Sequence, residues 1–185
     1  MSSLLPDTLP LPGLPQPIRT VSRAVATNSR LALTDHAIRR FWAHVVRAEG
    51  EGCWIWCGAI SKPDGYGRFT WQTGGERRTV SAHRIALMIH QAAELPEGII
   101  GEHGCCEPLC VRVDDNHLWP GTQSENINHA VALGRHRGNL PVMGSQHRWE
   151  RSVLVRDAVR QGWDEHAYHR ACQKLGWDEG QLALW

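Results

Sequence analysis

The stretch 101-GEHGCCEPLCVRVDDNHLWPGTQSEN-126 packs three cysteines, two histidines and several acids and amides into one short run. A structural zinc site wants four soft or borderline ligands, commonly three cysteines and a histidine. Cys105, Cys110 and His117 supply three within thirteen positions, and either Cys53 or Cys57 can bring the fourth from upstream. Cys106 competes with Cys105, because adjacent residues rarely point at one ion. A lone cysteine is ordinarily a small buried apolar side chain. Five cysteines around one histidine-rich loop favour ligation instead. Cys172 stands far from this group in a helical context, where packing is its expected role.

A purely structural site leaves His103 and Asn126 unexplained. Thr122 and Glu125 form a T-x-x-E capping box ahead of apolar Ile127, Ala130 and Val131, with Gly134 as terminator. A helix is therefore expected from Thr122, and Asn126 falls near its first turn. A side-chain amide oxygen there can hold Mg²⁺, a hard ion that takes oxygen ligands and keeps several waters. His103 and Cys105 are two positions apart and would share one face of a regular strand. A strand ending at His103, with Cys105 opening the loop, separates them.

Upstream, 33-LTDHAIRRFWAHVVRAEG-50 offers Thr34 as a helix cap, apolar Ile38, Phe41, Trp42, Val45 and Val46 at helical spacing, and Gly50 as a stop. It predicts a short amphipathic helix. Residues 53-CWIWCGAISKPDGYGRFTWQTGGERRTVSAHRIALMIH-90 read as strand, Pro-Asp-Gly turn, strand, Gly-Gly turn and strand. The last strand runs into a helix over Ala82 to Gln91, giving an antiparallel meander. Two apolar-periodic stretches, Val153 to Val159 and His166 to Leu175, flank Gln161-Gly162 and suggest a degenerate helix-turn-helix.

The 185 residues, 42% hydrophobic and 21% charged, suffice for one ordinary core with tails. Five of the ten prolines lie within the first 17 residues, so 1–33 is expected to be a flexible arm. A net charge of +1 does not mark the whole chain as a nucleic-acid binder. Its distribution is uneven: Arg135, Arg137, Arg148, Arg151, Arg156 and Arg160 face only Glu150 and Asp157 between Gly134 and Gln161. That run can meet phosphate or form a solvated face. No apolar run approaches the roughly 18 residues of a membrane span, and the N-terminus lacks an export signal, so an intracellular protein is expected.

The order of residues from His103 through Cys105, Cys110, Asn116, His117 and Gly121-Thr122 to Glu125-Asn126 resembles the HNH family of the His-Me (ββα-metal) finger endonucleases. It is most similar to the zinc-stabilised, phage- and intron-associated branch related to His-Cys box homing endonucleases. "RFWAHV", "GCWIWCGA", "GYGRF" and "AHRIAL" look like further landmarks of that branch in the same order, so the likeness covers about residues 38 to 150. The family commonly reads C-V-N-P-x-H-L where this chain has "CVRVDDNHL", two residues longer and without the Asn-Pro pair. Where the family often has an acid three residues after the asparagine, His129 stands here.

The resemblance implies an α+β fold: an antiparallel β meander with a zinc-pinned ββα-metal finger and flanking helices. With the proline-rich arm 1–33 and the arginine run leading into two periodic stretches, the expected units are that arm, a nuclease domain 34–148 and a basic helical C-terminal segment 149–185 with a DNA-binding role. The resemblance makes Cys53, Cys105, Cys110 and His117 the ligands of a structural Zn²⁺, His103 the general base, and Asn126 the ligand of a catalytic Mg²⁺ for which Mn²⁺ can substitute. The chemistry fits these residue types, since a neutral imidazole can take the proton of the attacking water. Arg68 and Arg84 are candidates for the scissile phosphate, each with a structural ion pair as its other reading. DNA is the implied partner, and a homodimer is a compatible assembly. The rival reading is a non-catalytic zinc-stabilised DNA-binding regulator, which has no physical need of the pair His103 and Asn126.

Overall fold

A computed structural model of the protein describes residues 33–132 and 145–173. The expected arm over 1–33 and the terminator Gly134 lie outside the described residues, Leu33 excepted. The fold is mixed α+β, with small antiparallel sheets and five helices among the described residues. Helix α1 (Asp35–Trp42) opens where the sequence places it, with the Thr34 hydroxyl accepting from the Ala37 amide at 3.2 Å. It ends earlier than the apolar spacing suggests. Val45 and Val46 belong to strand β1 (Val45–Arg47), paired antiparallel with β2 (Trp54–Trp56). Two adjacent β-branched residues fit a pleated, half-buried surface better than a helix interior, and Val46 finds Ile55 as its cross-strand partner.

The meander forms as β3 (Ala59–Ile60), β4 (Gly67–Thr73) and β5 (Glu76–Ser81), in that order across one sheet. The "WIW" strand does not join it, because its other edge is taken by the cysteine loop. The Trp56 amide donates to the Leu109 carbonyl at 2.9 Å, and the Val111 amide to the Trp54 carbonyl at 2.8 Å. β5 runs directly into α2 (Ala82–Gln91), whose Ile85, Ala86, Leu87 and Met88 are buried.

The core is aromatic. Phe41 of α1 stacks on Trp56 at 5.0 Å, and Phe69 meets both rings edge-on. Gly67 lies against this cluster: a methyl group there would sit 2.4 Å from Cδ1 of Trp56 and 3.0 Å from the Ala82 side chain. Gly67→Ala should therefore destabilise the protein by about 1–3 kcal/mol, the usual range for overpacking a tight core. Urea unfolding measures this, and an unchanged midpoint would show that Trp56 can move aside.

Strands β6 (Ile99–His103) and β7 (Leu118–Thr122) form a separate antiparallel pair, and α3 (Gln123–Ala132) follows and packs on it. The capping box is made as expected: Glu125 accepts from the Thr122 amide at 2.9 Å, and the Glu125 amide donates to the Thr122 hydroxyl at 3.2 Å. Helices α4 (Ser145–Val159) and α5 (Glu165–Gln173) make a hairpin whose turn holds Gly162 at φ +140°. The unit boundary expected at 148/149 falls inside α4, which packs on β2 and β3. Among the described residues, no helix is long and apolar enough to cross a membrane.

Candidate metal and catalytic centre

Cys53, Cys105 and Cys110 come together from two distant segments, their sulfur atoms all within 4.8 Å of one another. None is in a disulfide. Cys53 precedes β2, Cys105 opens the loop after β6, and Cys110 bridges to Ile55, so the sheet edge itself closes the cluster. Arg112 ties the two segments further, donating to the carbonyls of Gly50 at 2.7 Å and Gly52 at 2.9 Å and to Asp114 at 2.5 Å. Thiol hydrogen bonds from Cys110 and Cys53 pull the Cys105 thiol down to about 2. Hydrogen bonding to Cys105 pushes Cys53 and Cys110 the other way, with burial adding to both. Three sulfurs gathered this closely from two distant segments are a soft donor set that a metal ion can take, displacing their protons on binding.

Cys57 and Cys106 stand outside the group. The Cys57 sulfur lies 3.6 Å from the Ile55 carbonyl, and that of Cys106 lies 3.7 Å from the Gly104 carbonyl. His117 is buried but is not among the three mutually close donors. Its backbone is near, with its carbonyl 3.9 Å from the Cys105 sulfur. The His117 ring is oriented by Asp114, whose carboxylate lies 2.8 Å from Nδ1. A carboxylate can only accept, so Nδ1 carries the proton and Nε2 the lone pair, the arrangement of a carboxylate–histidine–metal triad. Burial would raise the Asp114 carboxyl, but bonds from His117, the Asn116 amide and Arg112 outweigh it and hold it below the ordinary range. Asn116 itself is exposed and contributes that backbone donor at 3.0 Å.

β6 ends at His103, and the chain turns at Gly104 before Cys105, as the two-residue spacing requires. The His103 ring is held on several sides. Its Nε2 lies 3.0 Å from the Cys110 carbonyl, which can only accept, so Nε2 donates and the neutral ring keeps its lone pair on Nδ1. Tyr66 stacks over it at 6.3 Å and His83 meets it edge-on at 5.3 Å. Burial, with the charges of His103, Arg84 and Arg68, pushes His83 down to about 3, so this second imidazole stays neutral beside the first.

The two arginines separate. Arg84 donates to the Ile99 carbonyl at 2.5 Å and so fixes the start of β6. Arg68 pairs with Asp64 at 2.8 Å, where both side chains are 36% exposed, a contact open to exchange with an incoming anion.

No protein-family model, curated protein or solved structure matches this chain. The geometry of the site therefore carries the functional reading.

Asn126 sits half-buried in the first turn of α3. His129, three residues on and on the same helix face, contacts Glu102 with Nδ1 2.5 Å from the carboxylate. Glu102 is 4% exposed. Glu102 is thus an anionic group held between β6 and α3 and engaged there by His129. Glu102 is absent from the expectations above. Its signal is its adjacency to His103 in a strand, which turns it to the opposite face, toward the helix that carries the asparagine.

Proposed function

We propose that the protein is a metal-dependent DNA endonuclease of the zinc-stabilised HNH type. The observation that carries this reading is the aim of His103: a partly buried imidazole tethered through Nε2, leaving Nδ1 as base, at the end of a strand flanked by the Asn126 helix. A regulator that only bound DNA would gain nothing from a histidine held in one tautomer.

In this reading Cys53, Cys105 and Cys110, with His117 as fourth ligand, would hold Zn²⁺, the ion that a three-thiolate and imidazole set fits. Asn126 would hold Mg²⁺ or Mn²⁺, hard ions that its amide oxygen suits. When bound there, a divalent cation supplies Lewis-acid stabilisation of the phosphoryl and leaving oxygens. The protein's own groups do the rest. Nδ1 of His103 accepts the proton of a water lined up with the scissile phosphodiester. Tyr66 and His83 limit the swing of the ring. Because His83 stays neutral, it adds no charge that would oppose protonation of His103. Arg68 exchanges Asp64 for a phosphate oxygen and forms charge-assisted hydrogen bonds to it.

Incubation of the protein with plasmid DNA, with and without Mg²⁺, tests the reading directly. Asn126→Ala should cut slowly at low Mg²⁺ and recover part of its rate when Mg²⁺ is raised or Mn²⁺ supplied, because a lost oxygen ligand weakens binding of the ion without removing the base. A metal titration that leaves the variant's rate flat would remove Asn126 from the cation site. Failure of the wild-type protein to cut any DNA with either ion would leave the regulator as the better reading.

A further inference from the structure

The loop that carries Cys105 and Cys110 is gripped by a residue of the C-terminal hairpin. Arg151 of α4 donates from Nη1 to Oε2 of Glu107 at 2.8 Å, across 44 positions, with Glu107 1% and Arg151 7% exposed. The other arm of the guanidinium lies 3.4 Å from the Cys172 sulfur of α5. A carboxylate this deeply buried needs its cation, and losing one partner leaves an uncompensated charge in the core. Glu107 passes the constraint on. Its second carboxylate oxygen accepts from the Leu109 amide at 3.1 Å, and its backbone carbonyl accepts from the Cys110 amide at 3.0 Å. Cys110 in turn presents the carbonyl that receives the His103 Nε2–H.

We infer that Arg151 and Glu107 are positioning residues for His103, and that the α4–α5 hairpin is a brace of the reaction centre. This rests on the reading of His103 as general base. The basic run of the C-terminal segment is then partly engaged by the protein's own acids: Arg151 is buried in this pair, and Arg156 bonds Asp157 at 2.9 Å on the surface. α4 is seated for the task. Its Arg148 carbonyl and the Ser152 hydroxyl close on Gly65, where a methyl group would lie 2.7 and 2.8 Å from them.

The test uses the full-length protein and three variants: Arg151→Met, Glu107→Gln, which keeps an acceptor for the Leu109 amide, and the conservative Arg151→Lys. Nuclear magnetic resonance should show the Leu109 and Cys110 amides and the His103 Nε2–H of Arg151→Met exchanging with solvent about 100-fold faster than wild type, as expected when a buried ion pair is broken locally. Single-turnover cleavage should fall about tenfold or more while the DNA dissociation constant stays unchanged, with Arg151→Lys recovering part of both losses. If Arg151→Met does not fold, Glu107→Gln gives the same readouts. Wild-type exchange at these three protons in a folded variant would overturn the inference. So would a raised dissociation constant with undiminished cutting, which would make Arg151 a phosphate contact. Absence of cleavage by the wild-type protein would sink the nuclease reading and the base role together, whereas wild-type cutting with unperturbed exchange in the variants would sink this inference alone.

Discussion

Replacing His103 by alanine should give a folded protein that keeps its metal, binds DNA and cuts it about 10² to 10⁴ times more slowly, the range expected for loss of a general base. The side chain is only partly buried and contributes no sulfur to the cysteine cluster, so its removal costs neither core nor cluster. No concentration of Mg²⁺ should restore the rate, in contrast to Asn126→Ala. A His103→Ala protein that cuts at the wild-type rate, or that has lost its metal, would show that structural and catalytic roles had been given to the wrong residues.

Cys110→Ala should have the larger effect on the protein as a whole. Cys110 is fully buried, bridges to Ile55, lies in the three-sulfur cluster and carries the carbonyl that meets His103. Occupied structural zinc sites contribute on the order of 10 kcal/mol of folding free energy in small zinc-finger domains, comparable to the roughly 5–15 kcal/mol by which whole proteins are stable. The variant should therefore be insoluble or recovered largely unfolded. Wild-type protein purified without chelator should carry one zinc per chain by native mass spectrometry, and chelation should reproduce the unfolding. Wild-type thermal stability in Cys110→Ala would mean that the three thiols are simply buried neighbours.

Much of the local structure could be read from short-range patterns because its causes are short-range. The Thr34 cap and the Thr122–Glu125 capping box each depend on residues three positions apart. Val45 and Val46 fit helical spacing as well as strand pairing, and the choice was made by Ile55 and Trp56, ten or so residues away. The gathering of Cys53 with Cys105 and Cys110 followed from ligand chemistry, with the family resemblance choosing Cys53 over Cys57. The Glu107–Arg151 pair left no such trace. Nothing in a periodic basic helix marks the one arginine that turns inward to a carboxylate 44 positions earlier. Glu102 and His129 likewise meet only because a strand and a helix, each readable alone, pack face to face.

Cys110 serves the site from two ends, its sulfur in the cluster and its carbonyl on the His103 ring. Any amino acid could offer that carbonyl, yet only a residue anchored through its side chain can keep it still. Without that anchor the carbonyl would wander and the imidazole with it, so whatever rigidifies the three sulfurs is felt as well at a ring seven residues away.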